Sequence, residues 1–310
     1  MEQIINLINE YQRIIIHGHT RPDGDCIGSQ IGLREILKET NPDKEVYAVG
    51  PMSEFVSFLG ELDNITDDLY NGALAIVVDC GNSERISDQR FKLADKVIKI
   101  DHHVPVEDYG DVNYVLEDEP ACAAIITEIM DTYRMKINKQ GAMALYTGIL
   151  TDTGRFRFDT VNGKTLRLAA ILLDNGVRVD ELDDLLSIET LKEIKLKGYV
   201  LSHFQTTDQG FAFIKMTRDV VSMFGVSDET AASQVSTIGN IEGYPVWALF
   251  MEYPDEIRIR LRSRGPRIEL LANQYGGGGH QKAAGAKLES WDMLPQFIED
   301  INKLLSEQED

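Results

Sequence analysis

The sequence predicts an α/β protein of two domains, the larger on a doubly wound parallel sheet and the smaller a second α/β unit. Three observations carry that reading. Short β-branched or apolar runs alternate with helix-length stretches through the first half, as strands do when helices cross between them. Residues 74–78 are apolar throughout, the mark of a strand buried on both faces. A length of 310 residues suits two ordinary domains.

Taken in order, residues 13–16 form a first strand. It runs into the loop His17-Gly18-His19-Thr20-Arg21-Pro22-Asp23-Gly24-Asp25, where Pro22 and Gly24 interrupt regular structure. A helix over about 27–39 carries Gly28, Ser29 and Gly32, small residues that allow close packing. Residues 45–49 form a strand and 53–59 a short helix. The strands 74–78 and 97–100 end at Asp79 and at Asp101-His102-His103. Helices follow at 121–133 and 140–150, the latter running into a polar loop with Asp152 and Arg155. Helical stretches near 162–174 and 179–186 complete a first domain, residues 1–187. Residues 188–203 read as a linker helix to a second domain, 204–310. Its expected strands are 210–216, 244–253, 256–263 and 283–288, with helices near 228–238, 267–275 and 291–306.

Composition removes several functional classes. The apolar content of 43% is that of a globular protein with a full core. A net charge of −20 argues against a broad surface for long nucleic acid, whose binding is driven by neutralising phosphates. It leaves room for a small anion in a local basic pocket. No apolar run is long enough to span a membrane, and residues 1–11 lack the basic start and apolar centre of a signal peptide. Cys26, Cys80 and Cys122 are too few and too widely spaced for a disulfide framework, so the cytoplasm is the expected compartment.

One constellation gathers His19, Asp23, Asp25, Asp79, Asp101, His102, His103 and Asp152, nearly all of which follow predicted strands. In an open parallel sheet such residues converge beyond the carboxyl ends of the strands. A single aspartate there is ordinarily a helix cap or turn residue, and a single histidine is ordinarily structural. Their recurrence at several strand ends points instead to a dinuclear metal centre. Asp23 and Asp25, two apart in an extended loop, would serve different ions, and a central Asp79 would bridge them. Crowded carboxylates need a counter-charge, and mixed imidazole and carboxylate donors suit Mn²⁺, Fe²⁺, Co²⁺ or Zn²⁺ better than Mg²⁺ or Ca²⁺.

A second constellation lies in the C-terminal part. Alternation along 256–264 puts Arg258, Arg260, Arg262 and Arg264 on one strand face and Ile257, Ile259 and Leu261 on the other. The arginine face is either solvated or bound to an anion. The run Gly276-Gly277-Gly278-Gly279-His280 would let backbone N–H groups line an anion or nucleotide site.

With these residues placed, the chain resembles the DHH-family phosphoesterases over nearly its whole length. His19-x-x-x-Asp23-x-Asp25-x-x-Gly28-Ser29, Asp79, Asp101-His102-His103 and Asp152 match the four family motifs in order. Gly277-Gly278-Gly279-His280-x-x-Ala283-Ala284-Gly285 matches the DHH-associated C-terminal domain. The two-domain form is similar to the nano-RNase and pAp-phosphatase group, some relatives of which cleave pApA or cyclic di-AMP. The resemblance implies two divalent ions, with Mn²⁺ the leading candidate. His19, Asp23 and Asp79 would hold one ion, and Asp25, Asp79, His102 and Asp152 the other. His103 would face the scissile phosphate and Asp101 would orient an imidazole. Arg262, Ser263, Gly278, Gly279 and His280 would bind the far end of the nucleotide, with Arg155 a further phosphate contact.

The sequence departs from many relatives at Val104-Pro105-Val106, where they open with Pro and Asn. It departs again at Ala121-Cys122-Ala123-Ala124, where they carry Ser and Thr. The expected activity is two-metal hydrolysis of short RNA, pApA or pAp, with no long nucleic acid or membrane partner and a homodimer open. The alternatives are a cyclic di-AMP phosphodiesterase, an inorganic pyrophosphatase of the related two-domain type, and a non-catalytic nucleotide sensor.

Overall fold

Strand β1 (Arg13–His17) sits inside a five-stranded sheet, between β2 (Glu45–Val49) and β3 (Ala73–Val78), with β4 (Lys96–Asp101) and β5 (Val112–Val115) beyond. Every pairing is parallel. The order 2-1-3-4-5 means that the chain leaves β1 in one direction to reach β2 and comes back past it to form β3. A crevice therefore opens beyond the carboxyl ends of β1 and β3. The computed structural model describes residues 1–307. The chain divides into two compact units, Met1–Ile188 and Glu189–Asp310.

In the first unit the α-helices are α1 (Glu2–Glu10), α2 (Gly24–Thr40), α3 (Cys122–Thr132), α4 (Lys139–Asp152), α5 (Gly163–Asp174) and α6 (Val179–Ser187). Their apolar sides meet Ile14, Ile16, Leu74, Ile76, Val78, Ile98 and Ile100 on one face of the sheet. The other face, with Ile15, Ala73, Ala75 and Val77, is covered by short 3₁₀ segments carrying Tyr70 and Phe91. Helices cover one face and 3₁₀ turns the other, because the connections on that side hold no amphipathic run of helix length. Strand β5 has no counterpart in the sequence reading. All four of its residues are half-buried at the sheet edge, so it lacks both an apolar run and an alternation.

Helix α2 begins at Gly24, three residues before the expected start. The Asp23 side chain accepts from the backbone N–H groups of Asp25 and Cys26 and so caps the helix at the end of its loop. Asp25 is consequently a first-turn helical residue and not part of an extended loop. Gly28 and Gly32 face α4, as expected of small residues at a close crossing: a Cβ on Gly28 would run into the Ala144 carbonyl oxygen, and one on Gly32 into the Leu145 side chain.

The second unit is a six-stranded mixed sheet in the order β10-β11-β9-β8-β7-β6. Its strands are β6 (Gln205–Thr206), β7 (Phe211–Met216), β8 (Val246–Glu252), β9 (Ile257–Ser263), β10 (Gly278–His280) and β11 (Ala283–Leu288). Only β7 and β8 pair in parallel. Helices α10 (Glu269–Gln274) and α11 (Leu294–Ser306) cover the face bearing Ile257, Ile259 and Leu261. Helices α7 (Leu191–His203), α8 (Arg218–Phe224) and α9 (Asp228–Ser233) cover Ile214, Leu249 and Met251 on the other face. Helix α7, expected as a linker, buries Leu196 and Val200 in this core.

The two α2 glycines should differ in tolerance, because one meets backbone and the other a movable side chain. Gly28→Ala should lower stability by about 1–3 kcal/mol and Gly32→Ala by less, read as shifts in the urea midpoint at unchanged slope. Equal midpoints would show that α4 yields at both positions.

Candidate metal centre

Asp79 ends β3, and its surroundings define the site. Its N–H donates to the Ile100 carbonyl (3.0 Å), continuing the sheet ladder by one step. Its φ of 54° then turns the chain out of the sheet in the left-handed region, where a non-glycine residue costs about 1–2 kcal/mol. The carboxylate is buried between three imidazoles. Oδ2 lies 3.3 Å from His19 Nε2, while Oδ1 lies 3.4 Å from His102 Nε2 and 3.6 Å from His103 Nδ1. One carboxylate thus presents its two oxygens to histidines from two different strand ends.

His19 and His102 are held alike. His19 Nδ1 lies 2.8 Å from the Thr20 carbonyl and His102 Nδ1 lies 3.2 Å from the Glu119 carbonyl. A carbonyl can only accept, so Nδ1 carries the proton in both rings. Nε2 is left facing the carboxylates, the orientation of an imidazole prepared to bind a cation. His17, two residues before His19, is different. It packs its ring near Tyr70 and Phe91, and burial lowers its pKa to about 4, a neutral core histidine.

Around His102 Nε2 stand Asp152 Oδ2 at 3.2 Å and Asp25 Oδ2 at 3.7 Å. Asp152 is the last residue of α4, so the rigid helix end delivers it, not the loop that the sequence suggested. Asp25 has a second role. Its carboxylate accepts from the backbone N–H groups of Cys122 (2.7 Å) and Ala123 (2.9 Å) at the start of α3. That helix has no side-chain cap of its own, since Ala121 stands at its N-cap. Asp25, a residue of α2, satisfies the N–H groups that a Ser or Thr would otherwise have capped.

The charges at this centre do not balance. Burial and the neighbouring Asp79 and Asp152 carboxylates push Asp25 well above the usual carboxylate range. Burial, offset by His102 but reinforced by Asp79 and Asp23, raises Asp152 to about 6. Burial disfavours charge on His102, yet Asp79, Asp25 and Asp152 outweigh it and raise its pKa to about 10. Burial would also raise Asp79, but the His102 and His19 rings bring it down to about 2. Asp79 Oδ1 is buried with no hydrogen-bond partner. Burial and mutual repulsion disfavour charge on Asp25 and Asp152, and a divalent cation would relieve both. The donors fit such a cation: His19, Cys26 and Asp79; Asp79, His102 and His103; and Asp25, His102 and Asp152 each bring ligand atoms within 4.8 Å of one another.

Several expected contacts fall differently. Asp23 is 3.9 Å from His19 Nε2 but largely exposed, with one oxygen committed to capping α2. Cys26 stands in the group around His19 and Asp79 instead. It accepts from the His19 N–H (3.3 Å), and burial together with Asp79 raises its thiol pKa well above normal, which favours a structural role. Sequence reading passed over Cys26 because nothing local distinguishes it from a core thiol. Arg155 is turned away from the centre. Gly154, Arg155 and Phe156 all have left-handed backbones, and the Arg155 guanidinium donates to Asp183 (2.6 Å) and Ser187 (3.0 Å). Asp101 accepts from His103 Nδ1 at 2.8 Å, and half-exposed His103 keeps its Nε2 free of protein partners among the described residues.

In the second unit, ladder register aligns residues distant in sequence. Arg262 pairs with Ala283, which pairs with His280, forming one row across three strands. Arg260, Gly285 and Gly278 form the next row. A cleft of about 420 Å³ opens there, lined by Met251, Tyr253, Arg258, Arg260, Gly278 and Lys287. Part of the glycine run is strand β10 and not a loop. A Cβ at Gly277 would overlap the Gly285 carbonyl, and one at Gly279, with φ 138°, would approach the Ala283 carbonyl at 2.6 Å. These glycines are required by strand packing whether or not a ligand binds. Ser263 lies on the buried side of β9, opposite Arg262, and its hydroxyl accepts from the Gly265 N–H (3.1 Å). Strand alternation makes Arg262 and Ser263 diverge.

Residues 13–149 match the DHH family, N-terminal domain, and residues 216–307 match the DHHA1 domain. A Bacillus subtilis protein named bifunctional oligoribonuclease and PAP phosphatase NrnA is 39% identical over 99% of both chains. The chain belongs to the DHH family. A Mycoplasma genitalium protein of the same name is 35% identical to this DHH protein, covering 97% of this chain and 96% of the other. The crystal structure of an exopolyphosphatase-related protein from Bacteroides fragilis matches it with a TM-score of 0.87 at 25% identity, covering 98% of this chain and 97% of that one.

Cation binding must displace the proton on His102 and ionise Asp25 and Asp152. Affinity for Mn²⁺ should therefore fall as pH falls, most steeply as Asp152 protonates near pH 6. Calorimetry in buffers of different ionisation enthalpy should record net proton release. Binding that is independent of both pH and buffer would contradict the charge imbalance.

Proposed function

We propose that this DHH protein is a metal-dependent phosphoesterase that hydrolyses short oligoribonucleotides, pApA and pAp. The observation that carries the reading is the Asp79 carboxylate, whose oxygens face His19 on one side and His102 and His103 on the other. A carboxylate in that position would be shared between two cations held by the histidines on either side. The relatives named for oligoribonuclease and PAP phosphatase activity match end to end, which supports the same substrate class here.

His19 and Asp79, with Asp23 after a side-chain rotation, would hold one cation, and Asp25, Asp79, His102 and Asp152 the other. Mixed imidazole and carboxylate donors suit Mn²⁺, Fe²⁺, Co²⁺ or Zn²⁺, and the family resemblance makes Mn²⁺ the leading candidate. When bound, such cations supply a water that ionises near neutral pH and a counter-charge for phosphoryl oxygens. His103, its Nδ1 proton donated to Asp101, presents Nε2 to the phosphate and donates to it when protonated. The hydrogen bond to Asp101 raises the pKa of that ring and so favours its donating form.

The second unit contributes nucleotide binding. Arg260 and Arg262 have no carboxylate partner among the described residues, in a chain of net charge −20. Burial and the Arg260 charge together lower the pKa of Arg262. An anionic ligand relieves that repulsion. Arg262 and His280, on one row, and the backbone at Gly278 and Gly279 are the proposed contacts. Ser263 and Arg155 are committed elsewhere in the structure and are secondary candidates. The acidic surface favours short over long nucleic acid. No helix among the described residues is long and apolar enough to cross a membrane.

A single panel decides among substrates: Mn²⁺-dependent hydrolysis of pAp, pApA, cyclic di-AMP, RNA of graded length and pyrophosphate. Turnover of pAp and RNA of a few nucleotides, declining with length, is expected. Fast pyrophosphate hydrolysis alone, or retained binding with no turnover of anything, would overturn the reading. Asp79→Ala should abolish nearly all activity while circular dichroism shows a folded chain. Most activity surviving at saturating Mn²⁺ would refute the bridging role. Arg262→Ala should weaken nucleotide binding by about 1–3 kcal/mol and leave Mn²⁺ affinity unchanged, measured by calorimetry on both ligands.

A further inference from the structure

We propose that Lys99 is a positioning residue for the hydrolysis, acting through Asp101 to set the ring of His103. The proposal rests on the phosphoesterase reading above. Lys99 lies in β4 among Val97, Ile98 and Ile100, and its side chain is completely buried. A buried ammonium is costly, and an apolar residue of similar size would ordinarily serve a strand core better. Its retention at this position calls for a reason in its contacts.

Those contacts converge on the catalytic edge. Lys99 Nζ donates to the Gly81 carbonyl (3.0 Å), just beyond Asp79, and to the Glu107 carbonyl (3.0 Å), in the loop that follows His103. It lies 3.4 Å from Asp101 Oδ2 and 5.0 Å from the centre of the Tyr109 ring. The Tyr109 hydroxyl donates in turn to the Cys80 carbonyl (2.7 Å). Asp101 divides its two oxygens. Oδ1 accepts from His103 Nδ1 (2.8 Å) and from the backbone N–H groups of His102 (3.0 Å) and His103 (3.3 Å). Oδ2 is buried with no hydrogen bond, and Lys99 Nζ stands 3.4 Å from it. Lys99 therefore places a buried positive charge behind the carboxylate whose other oxygen holds His103, and so fixes where Asp101 sits. Ionised Asp101 can only accept, so it fixes the Nδ1–H tautomer of His103 and the angle of its ring. The contacts to Gly81 and Glu107 hold the two segments that carry Asp79 and His103. A purely structural buried lysine would tie loops together but would have no specific effect on one histidine.

The test is a double-mutant cycle on whichever substrate of the panel the wild-type protein cleaves. Lys99→Met removes the charge, and Lys99→Gln removes it while keeping a donor for the two carbonyls. Each should lower kcat about 10–100-fold with Mn²⁺ affinity unchanged, and each should cost little more in a His103→Gln background. Equal loss in both backgrounds would overturn the proposal, as would unchanged kcat in a folded Lys99 variant. Asp101→Asn, which keeps the shape and removes the charge that Lys99 faces, must reproduce the non-additivity; an additive result overturns the route through Asp101 even if both Lys99 variants fail to fold. Long-range ¹H–¹⁵N spectra of metal-free protein give a readout independent of turnover. Wild type should show His103 protonated at Nδ1, and the Lys99 variants a changed tautomer or titration. An unaltered His103 signal in a folded variant would sink the proposal, whereas inactivity of the wild type on every substrate would sink only the phosphoesterase reading.

Discussion

The site depends on one buried carboxylate, Asp79, shut off from solvent and faced by the rings of His19, His102 and His103. It sits at the end of a strand buried on both faces, on a left-handed backbone that ends the ladder. Asp25 and Asp152 add two more carboxylates, both within 4 Å of the His102 ring. Such a cluster is electrostatically unfavourable by itself, and the rings of His19, His102 and His103 are the groups that face it. Stability and chemistry would meet here, because a cation that relieved the repulsion could also supply charge to a phosphate.

The surrounding structure constrains that cluster by giving four of its members a further partner. His19 and His102 are each oriented by a backbone carbonyl, Asp23 by the start of α2, and Asp25 by the start of α3. Asp25 shows how closely fold and site are joined. The same two oxygens that face the cation site cap a helix whose own first residues cannot. The Ala-Cys-Ala-Ala start of α3 is thus compatible with a well-formed helix, and no hydroxyl is needed there for capping. Behind His103, Asp101 and Lys99 extend the same logic one layer deeper.

The second unit handles charge in the opposite sense. Its arginine row lies on one face of β9, and ladder pairing brings His280 and two glycines alongside it. Gly277 and Gly279 are dictated by the close approach of β10 to β11, which removes the simplest argument from a glycine run to a phosphate loop. What remains is evidence of a different kind: Arg260 lines an open cleft in an acidic protein and has no carboxylate partner among the described residues.

Much of this was legible in the sequence because strands and their ends are local features. The wholly apolar run before Asp79, the alternation of Arg258 to Arg264, and the histidines and aspartates after successive strands all follow from side-chain periodicity and backbone breaks. Family resemblance then supplied roles for the residues so found. The divergence of Ser263 from Arg262 follows from the same alternation. The sequence could not show that Asp23 would start a helix early or that Arg155 would be drawn to Asp183. Nor did it show that Cys26 would stand beside His19, or that Lys99 would be buried behind Asp101. Each depends on contacts between segments tens of residues apart, or on a local competition among polar partners that composition does not decide. Sequence determined which groups arrive at the sheet edge. Only the tertiary structure decided which of their atoms were already taken by backbone partners, and therefore which remained for a cation and a phosphate.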